Sequence, residues 1–315
     1  MTIRVVKSGL QTTIQGRPRI GQRHLGVPAS GPADPLSMAL ANRLVGNGAF
    51  VPALETTLTG MSLRFACDAY IAIAGANAAC TLNGSRVAQH ITIAVQKGDL
   101  LVIGAATQGV RSYIAFAGGL CAQQVLGSGS TYLPAAFGGH DGRALMDGDE
   151  LRLKDPAASA ALLKTPPEFC LPMRDTWSVR AGRSVETIDV EQPERLFSTK
   201  FRIGNRSDRM GIKLEGETFV TEGNGQMPSA PVFPGVIQCP QDGSLFILSI
   251  DSGTTGGYPR VAKIARLDLH ILGQLRPGNS LALLERSDEQ AAQELREKHA
   301  YWQPWLPDIS VGPIL

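Results

Sequence analysis

The sequence lacks the long apolar runs and basic clusters that mark membrane and nucleic-acid-binding proteins. No apolar run in its 315 residues approaches the ~18 residues needed to span a bilayer. The start, MTIRVVKSGL, has too short an apolar stretch for a secretory signal. Thirty Lys and Arg against 28 Asp and Glu give a formal charge of +2, without a basic stripe. We therefore expect a protein that binds neither membranes nor nucleic acids.

Cysteines are few and unpaired in pattern. The five are odd in number and widely spaced, and none forms a C-x-x-C motif: Cys67, Cys80, Cys121, Cys170 and Cys239. Most lie among apolar neighbours, so we expect buried free thiols in a reducing cytoplasm. No spacing suggests a partner base, which argues against a catalytic cysteine.

The common catalytic and nucleotide-binding motifs are absent as well. The sequence contains no GxxxxGK[ST], no GxGxxG after a strand, no HExxH and no GxSxG. The five histidines lie far apart, at His24, His90, His140, His270 and His299. We therefore expect no metal site and no nucleotide site of a common type.

What the sequence does contain is a β-rich pattern with many turns, including 35 glycines. Asp34 followed by Pro35 is a good start for a helix over Pro35–Val45, with one buried face formed by Leu36, Leu40 and Leu44. Short apolar runs separated by Gly, Asn and Asp predict a barrel or sandwich. The predicted strands of this region are 3–6, 11–15, 54–57, 62–65, 69–74, 79–82, 91–95, 100–103 and 113–117.

Three turns share one design, which hints at two related β units in tandem. Each places glycine before Asp or Asn and a strand: Lys97-Gly98-Asp99, Asp147-Gly148-Asp149 and Pro277-Gly278-Asn279. The Ala- and Pro-rich segment 155–168 is interpreted as a linker, so we divide the chain into residues 1–160 and 161–315. The glycine-rich stretch 118–142 is too long for a plain hairpin, and loops of that length are usually functional.

The most informative stretch is Thr254-Thr255-Gly256-Gly257-Tyr258-Pro259, which follows the apolar run 245–250. Paired glycines allow positive φ angles and close backbone approach, so several N–H groups can point into one concavity. A tight turn between strands, with solvated hydroxyls, is the alternative. The residues alone leave both interpretations open.

Several longer segments carry a resemblance to a known family. They are SGPADPLSMALANRLVGN (30–47), ALETTL (53–58), RSYIAFAGGL (111–120), STYLPAAFGGHDGRALMDGD (130–149), SDRMGIKLEG (207–216), FPGVIQCPQDG (233–243) and TTGGYPRVAKIARLDL (254–269). In this order they resemble the C subunit of bacterial 5-oxoprolinase, that is, the KipA or allophanate hydrolase subunit 2 family. That family includes the carboxyltransferase part of urea amidolyase.

The resemblance implies a mainly β fold: two tandem cyclophilin-like β-barrel subdomains, a few short helices and a binding cleft between the barrels. It implies a cytoplasmic hydrolase component that binds a small-molecule substrate. Its partners would be one KipI-like chain and one LamB/YcsF-like chain. Together they would open the lactam of 5-oxoproline to glutamate at the expense of ATP. No phosphate-binding motif is present, so ATP would be shared with a partner or held by an unfamiliar loop.

On this basis we predict a site with two candidate acid–base groups, Asp251 and Asp208. Arg209 or Arg260 would bind a substrate carboxylate, and Gly256 and Gly257 would donate N–H groups to an oxyanion or phosphate. The other predicted substrate-binding residues are Ser207, Thr254, Thr255, Tyr258, Ser30 and Asp34. For each charged residue the alternative is a structural ion pair or a solvated rim.

Two departures from the family pattern keep other functions open. The chain has Arg180-Ala181-Gly182-Arg183-Ser184 where members usually carry a GPQ- or GPE-type segment, and Gly253 where they commonly have Gln. A second function is a biotin-dependent carboxyltransferase acting on urea or a related amide. Without a Met-Lys acceptor site, biotin would arrive on another protein. A third is a non-catalytic regulator that binds a KipI-like inhibitor of a kinase.

Overall fold

The computed structural model describes residues 1–183, 190–221 and 227–309, and its architecture is mainly β. Three α-helices are present in the described residues: α1 (Pro35–Leu44), α2 (Glu194–Ser198) and α3 (Asp288–Trp302). The first nine strands are β1 (Thr2–Lys7), β2 (Gln11–Gln15), β3 (Ala53–Thr57), β4 (Ser62–Phe65), β5 (Ala69–Leu82), β6 (Ser85–Val87), β7 (Thr92–Val95), β8 (Leu100–Phe116) and β9 (Glu150–Arg152). The remaining strands are β10 (Thr176–Gly182), β11 (Lys200–Ile203), β12 (Gly211–Glu215), β13 (Ala230–Pro231), β14 (Val236–Gln238), β15 (Leu245–Leu248), β16 (Thr255–Gly256), β17 (Arg260–Ile264) and β18 (Ser280–Glu285).

The chain divides into two compact units. In the described residues, the first comprises Met1–Arg19, Ser30–Met173 and 302–309, and the second comprises Ile20–Ala29, 174–183, 190–221 and 227–301. The boundary that the sequence places after residue 160 stays a prediction.

The first unit is built on a nine-stranded sheet. Its main path runs β2-β3-β8-β4-β1-β9, and β5 pairs with β6, β7 and β8. Interior side chains of these strands, such as Ile3, Leu63, Ile73 and Ile114, are fully buried. The mainly β class with a few short helices is therefore confirmed.

Two strands of this sheet are much longer than the sequence predicts. The predicted strands 69–74 and 79–82 are parts of one continuous strand, β5. The predicted strands 100–103 and 113–117 are likewise parts of one continuous strand, β8. The register between them shifts at Gly75, Asn77 and Ala78. Gly75 has a φ of +108°, and a Cβ there would lie 2.4 Å from the Arg111 carbonyl oxygen. The glycine is thus a β-bulge within a strand rather than a strand end.

Helix α1 begins where Asp34 and Pro35 predict it. The Asp34 carboxylate accepts a hydrogen bond from the Ser37 N–H at 3.0 Å, which caps the helix. We expected one buried face, but only Pro35 and Arg43 of this helix are not buried. Small residues such as Ala39 and Ala41 allow α1 to be enclosed by β5, β8 and neighbouring segments.

The second unit contains a closed barrel of strands β10-β17-β14-β15-β12-β11-β18. The circle is closed by the parallel pairing of β10 with β18 over Thr176–Ala181 and Ser280–Glu285. Closure leaves no free strand edge, and the interior is filled by buried Val179, Ile237 and Ile247. A separate two-stranded sheet pairs β13 with β16.

Helix α3 is anchored to this barrel by ion pairs. Its Glu294 pairs with Arg180 of β10 and lies 2.6 Å from the Nε of Arg286. Asp268 accepts a 2.8 Å hydrogen bond from the Arg180 N–H and pairs with its guanidinium at 3.2 Å. A capping box begins the helix, since the Ser287 N–H donates to Gln290 Oε1 at 2.9 Å and the Gln290 N–H donates to Ser287 Oγ at 3.3 Å.

The three recurring turns have the same hydrogen bonds. Gly98, Gly148 and Gly278 have φ of +97°, +93° and +90°, as the third position of a type II turn requires. Each glycine N–H donates over 2.8 Å to a strand carbonyl, of Phe65, Val5 or Ile203 respectively. The Asp or Asn that follows accepts from the N–H three residues earlier, at 2.7 to 3.0 Å. The shared design predicted from the sequence is therefore present three times.

We predict that Gly98→Ala, Gly148→Ala and Gly278→Ala each lower the free energy of unfolding by a similar amount, about 1–2 kcal/mol. An added Cβ would clash with nothing at these positions, so the cost comes only from the positive φ. Urea unfolding measures it. Gly48→Ala is the matched control, because Gly48 is equally open but has no positive φ. Equal stabilities for all four variants would contradict the shared turn conformation.

Candidate functional site

Arg209 and Asp251 form a buried ion pair in the second unit. Arg209 Nε lies 2.6 Å from Asp251 Oδ2, and Arg209 Nη2 lies 3.1 Å from Oδ1. The residues are 5% and 2% exposed. The Asp251 N–H also donates to the Arg209 carbonyl at 2.8 Å. The geometry is that of a structural ion pair, the alternative to a catalytic role, and the roles of Arg209 and Asp251 in catalysis stay predictions.

Ser207 and Asp208 build the turn that leads into β12. The exposed Asp208 accepts hydrogen bonds from the Met210 and Gly211 N–H groups at 2.7 and 3.1 Å. Ser207 Oγ donates to the Gly204 carbonyl at 2.7 Å and accepts from the Lys213 N–H at 3.2 Å. Arg209 thus pairs with Asp251, while the Asp208 carboxylate caps its own turn.

The predicted TTGGYP loop is one arm of a small two-stranded sheet. Thr255 pairs with Pro231 and Gly256 with Ala230. Flanking hydrogen bonds extend the contact, from the Val232 N–H to the Thr254 carbonyl at 3.0 Å and from the Met227 N–H to the Gly257 carbonyl at 2.9 Å. We name residues 227–233 and 253–260 together the hairpin rim.

The paired glycines of the hairpin rim are needed because neighbouring atoms lie too close for a side chain, not because the backbone is left-handed. Gly253, Gly256 and Gly257 do not have positive φ angles. A Cβ on Gly256 would lie 2.7 Å from Nε2 of Gln238, and a Cβ on Gly257 would lie 3.1 Å from the Met227 carbonyl oxygen. Of the two explanations given for paired glycines, close approach is the one observed.

Gln238 on β14 is a polar residue that sequence reasoning missed. It is buried, and its Nε2 has no hydrogen-bond partner among the described residues. Its strand partner is Arg260, whose Nε likewise has no acceptor there. An unsatisfied buried donor is costly, so two such groups near the hairpin rim call for an explanation. The signal in the sequence was a lone amide inside the apolar run VFPGVIQC.

Arg260 opens onto a pocket of about 400 Å³ within the second unit. Among the described residues, Arg260 Nη1 donates one hydrogen bond, a long one of 3.5 Å to the Pro231 carbonyl. The pocket is also lined by Phe233, Val236, Lys263 and Arg286. Tyr258 is exposed. Of the predicted site residues, Arg260 is the one that lines this pocket.

Arg23 anchors the hairpin rim and was also missed. Its guanidinium donates to the Val232 carbonyl and, at 3.4 Å, to that of Gly253. It also lies over the Phe233 ring, 4.9 Å from the centroid. Arg23 therefore holds both arms of the rim. In the sequence it is one of several arginines in a Gly- and Pro-rich loop, and nothing there distinguishes it.

Asp34 belongs to a buried polar network of the first unit, and Ser30 lies buried four residues before it. The Asp34 N–H donates to the Tyr113 hydroxyl at 2.8 Å, and that hydroxyl donates to Glu55 at 2.7 Å. Glu55 also accepts from the Ala33 N–H at 2.9 Å and lies 3.4 Å from the Arg111 guanidinium. These contacts hold the SGPAD segment in place. The combination of Ser30 and Asp34 with the hairpin rim in one cleft stays a prediction.

The network keeps its phenol protonated. Burial, reinforced by the charges of Glu55 and Asp34, raises the pKa of Tyr113 well above its ordinary value. Tyr113 therefore remains a donor to the Glu55 carboxylate. Ser30 adds a φ of +51°, unusual for a residue other than glycine. Its hydroxyl is buried without a partner among the described residues. Sequence reasoning missed Glu55, Arg111 and Tyr113, which lie inside strands.

The glycine-rich stretch 118–142 folds around a buried arginine. Arg19 donates to the carbonyls of Val125, at 3.2 Å, and Ser130, and lies 4.7 Å from the Phe137 ring centroid. Glycines of this stretch, with Arg17, Phe50 and Lys154, line a cavity of about 610 Å³ in the first unit. This cavity contains none of the predicted site residues.

All five cysteines are free thiols, and three of them are buried. Cys121 is exposed and Cys170 is half-buried, so burial is confirmed only for Cys67, Cys80 and Cys239. Burial raises the pKa of Cys80 and of Cys239 to about 11. These two thiols are therefore poor nucleophiles near neutral pH.

Metal-binding and membrane-spanning features are not found within residues 1–183, 190–221 and 227–309. No cluster of three or more His, Cys, Asp or Glu side chains suited to a metal is present there. Nor does any helix in these ranges combine the length and apolar character of a membrane span. In the segment 180–184, which departs from the family pattern, Arg180 forms ion pairs with Asp268 and Glu294. Ser184, the last residue of that segment, lies outside the described residues.

The sequence of the chain matches a known protein family. The family described as "Carboxyltransferase domain, subdomain A and B" matches residues 25–285. The C subunit of 5-oxoprolinase from Escherichia coli is 30% identical over 303 residues, covering 96% of each chain. The urea amidolyase of Saccharomyces cerevisiae is 34% identical over 315 residues, but this match covers 94% of the present chain and 17% of the yeast protein.

Solved structures agree with the sequence comparison. The crystal structure of the Kluyveromyces lactis urea carboxylase superimposes with a TM-score of 0.90 at 30% identity. The match covers 97% of this chain and 29% of that one. The relatives named here are thus a subunit of one enzyme and large enzymes of which this chain spans a minor part.

We predict that Arg209→Ala lowers the free energy of unfolding by about 3–5 kcal/mol, because Asp251 would remain buried without its partner. Urea unfolding followed by circular dichroism measures the loss. The control is the surface pair Arg195–Glu217, whose side chains are 39% and 47% exposed. Glu217→Gln should cost no more than about 1 kcal/mol. Equal losses in the two variants would show that burial of the pair carries no weight.

We also predict that Cys121 is alkylated by iodoacetamide at pH 8 well before Cys80 and Cys239. The raised pKa keeps the latter two thiols protonated until the pH approaches 11, and burial denies the reagent access. Peptide mass spectrometry of timed samples measures the order. Labelling in urea should abolish the difference. Early labelling of Cys80 in the folded protein would contradict the burial described here.

Proposed function

Since the chain belongs to the family of the carboxyltransferase domain, subdomains A and B, we propose that it is one subunit of an ATP-dependent 5-oxoprolinase. It would act with KipI-like and LamB/YcsF-like partner chains in the cytoplasm. The observation that carries the proposal is the extent of the match. The C subunits of 5-oxoprolinase from Escherichia coli and Haemophilus influenzae are covered over 96% and 93% of their lengths.

The reaction requires activation of an unreactive amide. ATP would transfer its γ-phosphoryl group to the lactam carbonyl oxygen and leave as ADP. Water would then add to the carbonyl carbon, and the ring C–N bond would break as the nitrogen takes up a proton. A second water would release phosphate from the resulting acyl phosphate and leave glutamate. Developing negative charge in such steps is stabilised by preorganised donors.

The hairpin rim is the part of this chain best suited to bind that substrate. Arg260 offers a guanidinium that is only weakly engaged, and such a group binds a carboxylate in two parallel hydrogen bonds. Thr254, Thr255, Gly256, Gly257 and Tyr258 stand beside it in sequence and remain the proposed binding residues. Arg209 and Asp251 are proposed to support the rim, because each is the other's partner.

ATP is proposed to bind jointly with a partner chain. The present chain carries none of the common phosphate-binding motifs. The partner would then supply the nucleotide-binding groups, and this chain would present the substrate.

A carboxyltransferase acting on urea or a related amide is the second candidate function. It is favoured by the family description and by the TM-score of 0.90 against the Kluyveromyces lactis urea carboxylase. In this reaction biotin would supply the carboxyl group, carried by a separate protein. Arg260 and the hairpin rim would again hold the acceptor amide.

We predict that the chain, co-expressed with KipI-like and LamB/YcsF-like chains of its own organism, releases glutamate from 5-oxoproline only when ATP is added. Arg260→Ala should lower kcat/KM by about 10- to 100-fold, the worth of one charged hydrogen-bonding group. Coupled assays of glutamate and phosphate measure both. Arg206→Ala, which changes an exposed arginine of the same unit, is the matched control.

Two results would contradict the proposal. One is the absence of glutamate from the purified assembly of all three chains. The other is consumption of urea or an amide that starts only when a biotin carrier and a biotin carboxylase are added, which would establish the second candidate.

A further inference from the structure

The pocket beside Arg260 has an unusual balance of charge. Among the described residues, three basic side chains line it, Arg260, Lys263 and Arg286, and one acidic side chain, that of Asp288. Arg286 is partly neutralised, since its Nε lies 2.6 Å from Glu294. The other two cations are less engaged. The pocket is therefore a positively charged concavity within one unit.

Lys263 is the least engaged of these groups. It lies on β17, three residues after Arg260, and its backbone is fixed by pairing with Gly182 and Val236. Its ammonium group has no ion pair with any carboxylate of the described residues. Arg260 adds an Nε without an acceptor among the same residues. The Lys263 ammonium group and the Arg260 Nε are therefore available to a ligand that accepts hydrogen bonds.

The remaining wall of the pocket is apolar. Phe233, Val236 and Ile264 line it together with Pro231, Ala262 and Ala291. A volume of about 400 Å³ falls at the lower end of small-molecule sites. An inorganic anion such as phosphate can use only the cations of the pocket, whereas a compact organic anion can also place its carbon skeleton against the apolar wall.

We propose that this pocket binds a small organic oxyanion, whose carboxylate or phosphate is held by Lys263 and Arg260 while its carbon skeleton packs against Phe233 and Val236. The pocket follows from the geometry alone. The choice of 5-oxoproline as its ligand rests on the proposed function. Both the carboxylate of that substrate and a phosphoryl group would satisfy the same cations, so the test separates these two sources.

Binding to the full chain is measured by isothermal titration calorimetry with three probes. They are 5-oxoproline, its uncharged carboxamide analogue and inorganic phosphate. We expect 5-oxoproline or phosphate to bind and the carboxamide to bind at least about tenfold more weakly, the loss of one good ionic contact. Lys263→Gln should also lower the affinity for the anion by about tenfold.

Lys200→Gln is the matched control, since Lys200 is an exposed lysine on β11 that does not line the pocket. Arg260→Gln is the second variant, and it is expected to lower the affinity for the same anion. Thermal unfolding checks that each variant is folded. Lys263 is exposed on its strand, so its replacement leaves the core unchanged.

Several outcomes would overturn the proposal. They are failure of both anions to bind, equal binding of 5-oxoproline and the carboxamide with no phosphate binding, and an affinity that neither Lys263→Gln nor Arg260→Gln alters. Glutamate release by the assembled Lys263→Gln enzyme at an unchanged KM, together with no binding of phosphate to the chain, would remove the pocket and leave the proposed function standing. Charge-dependent binding by a chain whose assembly releases no glutamate would do the reverse.

Discussion

One buried ion pair, Arg209 with Asp251, constrains the second unit, because neither charge can stay buried without the other. Two charges taken out of water are tolerated only when each satisfies the other, and here the guanidinium approaches both carboxylate oxygens. Arg209 stands before β12 and Asp251 after β15, and these two strands are barrel neighbours. The pair therefore fixes the point at which the chain leaves the barrel and begins the hairpin rim.

A similar arrangement organises the SGPAD segment of the first unit. Glu55 is a carboxylate inside a strand, which would be costly if it were alone. It is surrounded by Arg111, the Tyr113 hydroxyl and the Ala33 N–H. In both units, segments that the family resemblance singles out thus contain charges that hold loops in place.

Much of the fold could be predicted from local patterns. Strands 11–15 and 62–65 coincide with the observed ones, and the Asp34 cap and the repeated glycine turns are present as expected. These features are encoded within a few residues. The long strand β5 was broken in the prediction because Gly75 is indistinguishable from a turn glycine until its cross-strand neighbour, Arg111, is known.

The site was less predictable for the same physical reason. Arg209 and Asp251 are far apart in sequence, and only the folded barrel shows that they neutralise each other. Gln238 and Lys263 carry no local signal, since a lone amide or lysine in a strand is ordinary. Arg260, in contrast, was identified from its place after TTGGYP, and the structure places it at a pocket. A residue type and its neighbours predict what a group can do, whereas its partners depend on tertiary contacts.

The central claim is that the buried pair is a support and that the chemistry belongs to the open pocket. It is tested most directly by the double variant Arg209→Met, Asp251→Leu, which replaces both charges by apolar side chains of similar volume. Replacement of a whole buried pair is often neutral for stability, so this variant should fold. The account predicts that the assembly containing it releases glutamate from 5-oxoproline at close to the rate of the unchanged enzyme. A double variant that folds as stably as the unchanged chain, joins its partners and yet releases no glutamate would contradict the account.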